Sequence, residues 1–328
     1  MDIKNNFEGL IELWLLDGRG SGRLLSYEEA KTYQLQANEW IWLHLDYTEP
    51  DVQQWMKTSS ELSPLLVESL LQAETRPRSV FTDGALLVFL RGINHNPDSS
   101  PEDMVSLRLV VSEKQVITLR NRDLITLKDI STSISESHGP TTPGNFVLTV
   151  LDKVLDRANV VIEELYDQVD IIEDSVLAPA EELQHESLAN VRRQAISIRR
   201  YLAPQRDAIS RLSSSESSVF TDDDRLQVKE DMNRLTRMIE DLDAVRERAS
   251  VIHELLVSNI AEQTNKRMYL LSIIAAIFLP LTFVTGLLGV NLGGIPGNDS
   301  YLAFPILVGL SVVIVLCLWL YFRSRKWF

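Results

Sequence analysis

Two long apolar runs near the end of the chain constrain its fold more than any other feature of the sequence. The first extends from Met268 to Leu288 and the second from Leu302 to Phe322, and neither contains a charged residue. An α-helix needs about 20 apolar residues to cross the hydrocarbon core of a bilayer, where no water is available to satisfy the backbone. The sequence therefore predicts a membrane hairpin of two helices.

The connection between the two runs is rich in glycine and reads GLLGVNLGGIPG, from Gly286 to Gly297. Glycine lets the backbone leave a helix without steric cost, so we expect Gly289, Val290 and Asn291 at the membrane surface. The Asn291 amide can then contact a passing hydrated cation. Taken from the triplet alone, a helix end followed by a turn-forming asparagine is the alternative.

The same residues carry a family resemblance. The run PLTFVTGLLGVN, placed before a terminal span and a basic tail, resembles the CorA superfamily of divalent-cation transporters. Its continuation NLGGIPG is similar to the ZntB zinc-transporter branch. The magnesium branch has a tyrosine-glycine-methionine-asparagine run, and this chain has Leu288 in place of the tyrosine and Val290 in place of the methionine.

The resemblance implies a function and an assembly. We expect a zinc transporter, with cadmium, nickel and cobalt as further substrates, whose selectivity filter is Gly289, Val290 and Asn291. We also expect a homopentamer in the bacterial inner membrane, with proton coupling as one possible driving force. A magnesium or cobalt channel is the first alternative. The second is a signalling or scaffold protein that the hairpin only anchors.

Charge and composition exclude several other classes of protein. The formal net charge of −14 over 328 residues argues against nucleic acid binding and favours cations. The single cysteine, Cys317, lies inside the second apolar run, so an intrachain disulfide is impossible. The sequence contains no phosphate-binding glycine loop and no nucleophile elbow. We therefore expect no enzyme activity and no cofactor other than the transported Zn²⁺.

The basic residues predict the topology in the membrane. Lys266 and Arg267 precede the first run, and Arg323, Arg325 and Lys326 follow the second. The loop 292–301 contains no Lys or Arg. By the positive-inside rule, both termini are cytoplasmic.

Hydrophobic periodicity divides the chain in order. Residues 1–140 alternate short apolar runs with helical patterns, which predicts a cytosolic α/β domain. The predicted strands are Gly9–Leu16, Trp40–Leu45, Ala85–Gly92, Val105–Val111 and Gln115–Arg120. The predicted helices are Tyr27–Gln36, Asp51–Lys57, Pro64–Gln72 and Asp123–Glu136.

From residue 141 the pattern is helical. Antiparallel cytosolic helices are expected in 141–220, and Thr221 is expected to cap a single helix from Asp222 to about Leu288. Its cytosolic part is 221–267 and its membrane part 268–290. The remaining segments are a periplasmic loop at 291–301, which contains the last residue of the filter, a second span at 302–322 and a basic tail at 323–328. We therefore expect an α+β multi-pass membrane protein with a cytosolic α/β domain and a helical stalk continuous with the first span, and the resemblance implies an oligomeric funnel as its assembly.

The long helix has two faces with different composition. One is a heptad-like apolar stripe expected to pack on the preceding helices or on a neighbouring subunit; it comprises Val228, Met232, Leu235, Ile239, Leu242, Val245, Ala249, Ile252 and Leu256. The other, here called the polar stripe, mixes polar and small residues and is expected to line a pore around a symmetry axis. Its members are Glu254, Ser258, Asn265, Met268, Leu271, Ala275, Leu279 and Thr282.

Zinc selectivity does not follow from the residue types. Zinc prefers imidazole and thiolate, yet the five histidines are scattered without ligand spacing. His253, beside Glu254, is the one candidate metal contact, and a packed or solvated histidine is the alternative.

Overall fold

The structure is a computed structural model that describes residues 7–60, 62–176, 183–214, 218–289 and 301–324. Those residues form seven β-strands and eight α-helices. Contacts divide the chain into two compact units, 1–253 and 254–328. Each unit is described by itself below.

The first unit contains one seven-stranded sheet, in the order β2-β1-β3-β7-β6-β5-β4. Its strands are β1 Leu10–Leu16, β2 Gly22–Leu24, β3 Trp40–Asp46, β4 Arg78–Thr82, β5 Ala85–Gly92, β6 Val105–Val111 and β7 Gln115–Arg120. Only β3 and β7 pair in parallel, and every other pair is antiparallel. All five predicted strands are confirmed, three of them with the expected bounds.

β2 and β4 were not predicted from the sequence. β4 lies at one edge of the sheet and is partly exposed, so it lacks the apolar run that marks a buried strand. A signal for it was present, because Asp83 and Gly84 join β4 to β5 with positive φ angles of 53° and 72°. Asp-Gly is typical of the tight turn of a β-hairpin.

Helices cover both faces of the sheet, which explains why β5 is apolar along most of its length. One face packs on three short helices, α1 Tyr27–Thr32, α2 Pro50–Thr58 and α3 Pro64–Leu71. The predicted first helix is four residues longer than α1. Leu43 and Phe89 of the sheet share one core cluster with Met56 of α2 and Leu70 of α3.

The opposite face of the sheet packs on longer helices. These are α4 Ile125–Ser135, α5 Pro143–Val176 and α6 Leu183–Ser214. The ring of Phe146 on α5 lies 6.0 Å from the ring of Trp40 and 4.9 Å from that of Trp42. The hydroxyl of Ser79 on β4 donates to the carbonyl of Ala208 on α6 at 2.7 Å. The first unit therefore includes α5 and α6 as well as the sheet.

The last two helices are α7 Asp222–Leu288 and α8 Ala303–Ser324. Thr221 begins α7 as predicted, since its hydroxyl accepts from the Asp224 amide at 3.2 Å while the Asp224 carboxylate accepts from the Thr221 amide at 2.8 Å. The apolar stripe of α7 is buried at every predicted position up to Ile252 except Met232, which is half-buried.

Ion pairs accompany this packing within the first unit. Arg234 of α7 contacts Asp152 and Asp156 of α5. Arg248 of α7 lies 2.6 Å from Asp170 of α5. Arg199 of α6 lies 2.7 Å from Asp243 of α7. The apolar stripe thus packs on the preceding helices of the same chain, which was one of its two predicted partners.

Candidate functional site

The second unit contains two helical segments that are long and apolar enough to cross a membrane. They are the C-terminal part of α7 and the whole of α8, and they agree with the two predicted spans. Most of their large apolar side chains are exposed, Leu279, Phe283, Phe304 and Ile306 among them. A core helix of a water-soluble protein would bury such residues, so these faces suit lipid or a further helix.

One face of α7 is directed toward α8. Ile277, Leu281 and Thr285 of α7 line a cleft of about 570 Å³ together with residues of α8 such as Leu307 and Val315. Ile273, one turn before Ile277, is buried. This row of residues was not predicted from the sequence, although its spacing of four residues is typical of one helix face.

The predicted polar stripe occupies the other side of α7. At 100° per residue, Leu279 lies about 160° around the helix from both Ile277 and Leu281. All of its members are exposed except Ala275, which is half-buried; the exposed ones are Glu254, Ser258, Asn265, Met268, Leu271, Leu279 and Thr282. Within the second unit, the stripe therefore faces away from α8.

Two threonines near the end of α7 differ in their hydrogen bonding. The hydroxyl of Thr285, beside the cleft, donates to the carbonyl of Leu281 at 2.9 Å. The hydroxyl of Thr282, in the stripe, has no hydrogen-bond partner among the residues that the structure describes. Buried threonines in apolar helices usually bond back to the backbone. The Thr282 hydroxyl remains available to water or to an ion.

The predicted filter begins where α7 ends. The amide of Gly289 donates to the carbonyl of Thr285 at 2.9 Å, as in a last helical turn. A Cβ atom at Gly289 would lie 2.9 Å from that same carbonyl oxygen, so glycine is required here by close approach. Its φ angle is not in the left-handed region. Val290 and Asn291 lie outside the described residues.

A family model described as a CorA-like Mg²⁺ transporter protein matches residues 37–325. The chain belongs to the CorA family. The resemblance that the glycine-rich connection indicated is therefore confirmed.

Several relatives match almost the whole chain. A protein of Pseudomonas aeruginosa named divalent cation transporter CmaX is 41% identical over 322 residues, which is 97% of each chain. A protein of Yersinia enterocolitica named zinc transport protein ZntB is 36% identical over 312 residues, covering 95% of this chain and 94% of that one.

Solved structures confirm the CorA fold. Full-length CmaX superimposes with a TM-score of 0.87 at 40% identity, covering 99% of this chain and 100% of the other. The CorA magnesium transporter of Methanocaldococcus jannaschii gives a TM-score of 0.80 at 17% identity, covering 96% and 98%. At that identity the second likeness concerns the fold alone.

Acidic and histidine side chains do not assemble a metal site in the described part of this CorA-family chain. No group of three or more His, Cys, Asp or Glu residues is placed there to hold a metal ion. His253 lines a cavity of about 410 Å³ on the first unit together with Arg192 and Arg193. The two guanidinium groups beside this imidazole would repel a divalent cation. The positive charge around His253 therefore argues against a metal contact there, and that role stays a prediction.

Basic residues at the ends of the spans have partners that suit an interfacial position. Lys266 Nζ lies 2.7 Å from Glu262 one turn earlier on α7. The Arg323 guanidinium lies 5.2 Å from the ring centroid of Trp319 on α8. Basic and aromatic side chains are typical of the headgroup region. Arg325 and Lys326 lie outside the described residues.

Proposed function

We propose that this protein transports divalent metal cations, with zinc as its principal substrate, through a pore that several copies of α7 enclose. The observation that supports this most strongly is the position of the polar stripe. Its residues are exposed on the side of α7 opposite the cleft with α8, so a ring of α7 helices can line a central path while α8 lies outside it.

The chemistry of the stripe suits an ion that keeps its water shell. Asn265 and Thr282 offer neutral oxygens, and Met268 and Leu279 provide apolar constrictions between them. A charged side chain deep in a span costs about 2.5–3.5 kcal/mol or more, whereas neutral oxygens can replace water around an ion without trapping it. The filter at Gly289, Val290 and Asn291 is part of this proposal.

A homopentamer is the assembly that we propose, because two spans of one chain cannot surround an aqueous path. The basic residues at the span ends favour cytoplasmic termini, and we place the protein in the bacterial inner membrane. Native mass measurement in mild detergent tests the assembly. A monomer or dimer as the sole species would refute a central pore.

The names of the relatives support the choice of substrate. ZntB proteins are named for zinc transport and CmaX for divalent cations in general. Magnesium is the alternative substrate, because the matching family model is described as Mg²⁺-transporting. Neither substrate follows from the described side chains.

Reconstitution tests the proposal directly. Purified protein in liposomes loaded with a zinc-sensitive dye should admit zinc, and cadmium, nickel and cobalt should compete. Magnesium as the strongest competitor would favour the alternative substrate. An imposed pH gradient that changes zinc flux would indicate proton coupling. An absence of flux for all five ions would refute transport and favour a membrane-anchored signalling or scaffold protein.

A further inference from the structure

A cavity in the first unit has a composition that transport does not explain. It encloses about 670 Å³ at the edge of the sheet where β5 and β7 end and β6 begins. Cavities of 300–1,000 Å³ are typical for small ligands. Four arginines line it, namely Arg76, Arg91, Arg122 and Arg200, and we call it the arginine cavity.

None of the four guanidinium groups pairs with a carboxylate in the part of the chain that the structure describes. The chain carries 46 acidic residues against 32 Lys and Arg, so unpaired arginines grouped around one cavity are unexpected. Arg76 and Arg122 have no hydrogen-bond partner among the described residues either, and both are exposed.

The other two arginines are held in place. Arg91 donates to the carbonyl of Met104 at 3.0 Å and to that of Thr75 at 2.9 Å. The guanidinium carbons of Arg91 and Arg200 lie 4.9 Å and 4.8 Å from the ring centroid of Tyr201. Arg200 also donates to the Tyr201 hydroxyl at 2.9 Å. A site whose charged groups are already oriented loses less entropy when a ligand binds.

Burial disfavours the charge on Arg91, and neighbouring groups offset this effect only in part. Burial lowers the pKa of this guanidinium from its ordinary value and Arg200 acts in the same direction, while Tyr201, Tyr47 and Glu74 oppose them. A ligand that brings negative charge would offset both effects. Guanidinium groups match phosphate oxygens with two parallel hydrogen bonds, which a lysine cluster cannot do.

The cavity also contains hydrogen-bond acceptors. Glu74, Glu102 and Asp103 line it together with the arginines. The Oε2 atom of Glu102 is shielded from solvent and has no hydrogen-bond partner among the described residues. A buried acceptor without a partner costs about 1–3 kcal/mol. A ligand that fits must therefore offer donors as well as negative charge.

We propose that the arginine cavity binds a small phosphorylated ligand that also carries hydroxyl or amino donors, as nucleotides do. The phosphate lies among Arg91, Arg122 and Arg200, and a donor group reaches Glu102. This goes beyond transport, since binding needs no pore.

Binding to the full-length protein in detergent tests the proposal, with adenosine monophosphate and inorganic phosphate as probes in isothermal titration calorimetry. The double variant Arg76→Gln/Arg122→Gln removes two charges that have no hydrogen bond or ion pair among the described residues, so folding should be unchanged. We expect the double variant to bind both probes at least about tenfold more weakly than the unaltered protein does. Glu102→Gln should weaken binding of the nucleotide and spare binding of inorganic phosphate.

Arg206→Gln is the matched control, because Arg206 lies on α6 outside the cavity and pairs with Asp207 at 3.0 Å. It should bind both probes as the unaltered protein does. The proposal is overturned if neither probe binds at millimolar concentration, or if the double variant binds as tightly as the control. A map of the assembled protein with side chains of a neighbouring copy inside the cavity would also overturn it.

Discussion

The hydroxyl of Thr118 on β7 lies 2.9 Å from Nδ1 of His44 on β3, in the centre of the buried sheet. The same hydroxyl accepts a hydrogen bond from Nε1 of Trp42 at 2.9 Å. The Thr118 hydroxyl also donates to the carbonyl of Leu43 at 3.4 Å, so three polar groups share this one buried hydroxyl. Burial, reinforced by Arg120, lowers the pKa of His44 to about 3.

Replacing Thr118 with valine should destabilise the protein. The substitution keeps the shape of the side chain but leaves the Trp42 N–H without an acceptor and His44 Nδ1 without its hydrogen-bond partner. We expect a loss of about 2 kcal/mol or more. Thermal unfolding in detergent provides the measurement. Thr118→Ser retains the hydroxyl and is the control, and equal melting temperatures for the valine and serine variants would contradict the role of this hydrogen bond.

Asp231 should make stability depend on pH. Its side chain is buried on α7, and its Oδ2 has no partner among the described residues. Burial first, and then the carboxylate of Asp152, raise its pKa from 3.8 to about 7, although Arg234 opposes them. At pH values between these two pKa values, Asp231 is protonated in the native state and ionised in the unfolded state. The free energy of unfolding therefore falls as the pH rises from about 4 to 7.

Asp231→Asn should remove this loss. At pH 8 the variant should be more stable than the unaltered protein, by at most roughly 4 kcal/mol, because a change of one in pKa corresponds to about 1.4 kcal/mol. Melting temperatures measured from pH 5 to pH 8 test this. Glu240→Gln, an exposed change on the same helix, should follow the unaltered profile. If the melting temperature of the Asp231→Asn variant depended on pH as steeply as that of the unaltered protein, the Asp231 carboxyl group would not be the source of the pH dependence.

Thr282→Ala should lower zinc flux more than Thr285→Ala. The first change removes a hydroxyl with no partner among the described residues, on the polar stripe, and the second removes one that is bonded to the carbonyl of Leu281. Both variants remove the same atoms at positions about 60° apart around α7 and one turn apart along it, so their difference reports the combined effect of the position and the bonding of the hydroxyl. Initial rates in dye-loaded liposomes give the comparison. Equal rates would argue against Thr282 in the pore wall.

Asn291→Ala should reduce zinc flux sharply and leave assembly intact. It removes the amide oxygen of the predicted filter and keeps a small side chain, and substitutions away from special contacts usually change stability by about 0.5 kcal/mol or less. The assay pairs liposome flux with native mass measurement. Unchanged flux in an intact oligomer would mean that this segment is only a helix end.

Gly289→Ala should destabilise the end of α7, whereas Gly286→Ala should not. A Cβ atom at Gly289 would lie 2.9 Å from the Thr285 carbonyl oxygen, but a Cβ atom at Gly286 meets nothing within 4 Å. We therefore expect a lower melting temperature for the first variant alone. A comparable drop for both would indicate that Gly286 is contacted by another copy of the chain.

Most of the strands and helices could be predicted from the sequence because apolar runs mark buried elements. β5, β6 and β7 are buried on both faces, and their runs predicted the observed bounds. β4 was missed because an exposed edge strand lacks such a run. The polar stripe followed from helical periodicity, but its position opposite α8 required coordinates.

The arginine cavity was not predictable in the same way. Its four arginines come from the α3–β4 connection, β5, the segment after β7, and α6. No spacing in the sequence relates them, and only the complete sheet with α6 packed on it brings them together.

The parallel pairing of β3 with β7 has a consequence for how the chain is made. His44 and Thr118 are 74 residues apart and pair directly, and this pairing joins two antiparallel halves, β2-β1-β3 and β7-β6-β5-β4. Each half can form from neighbouring segments, whereas joining them closes a long loop, which is slow. While β7 of a nascent chain is still inside the ribosome, β3 has no partner on that side and forms an open edge. Synthesis that pauses before β7 has emerged therefore leaves the edge of β3 available for pairing with another chain.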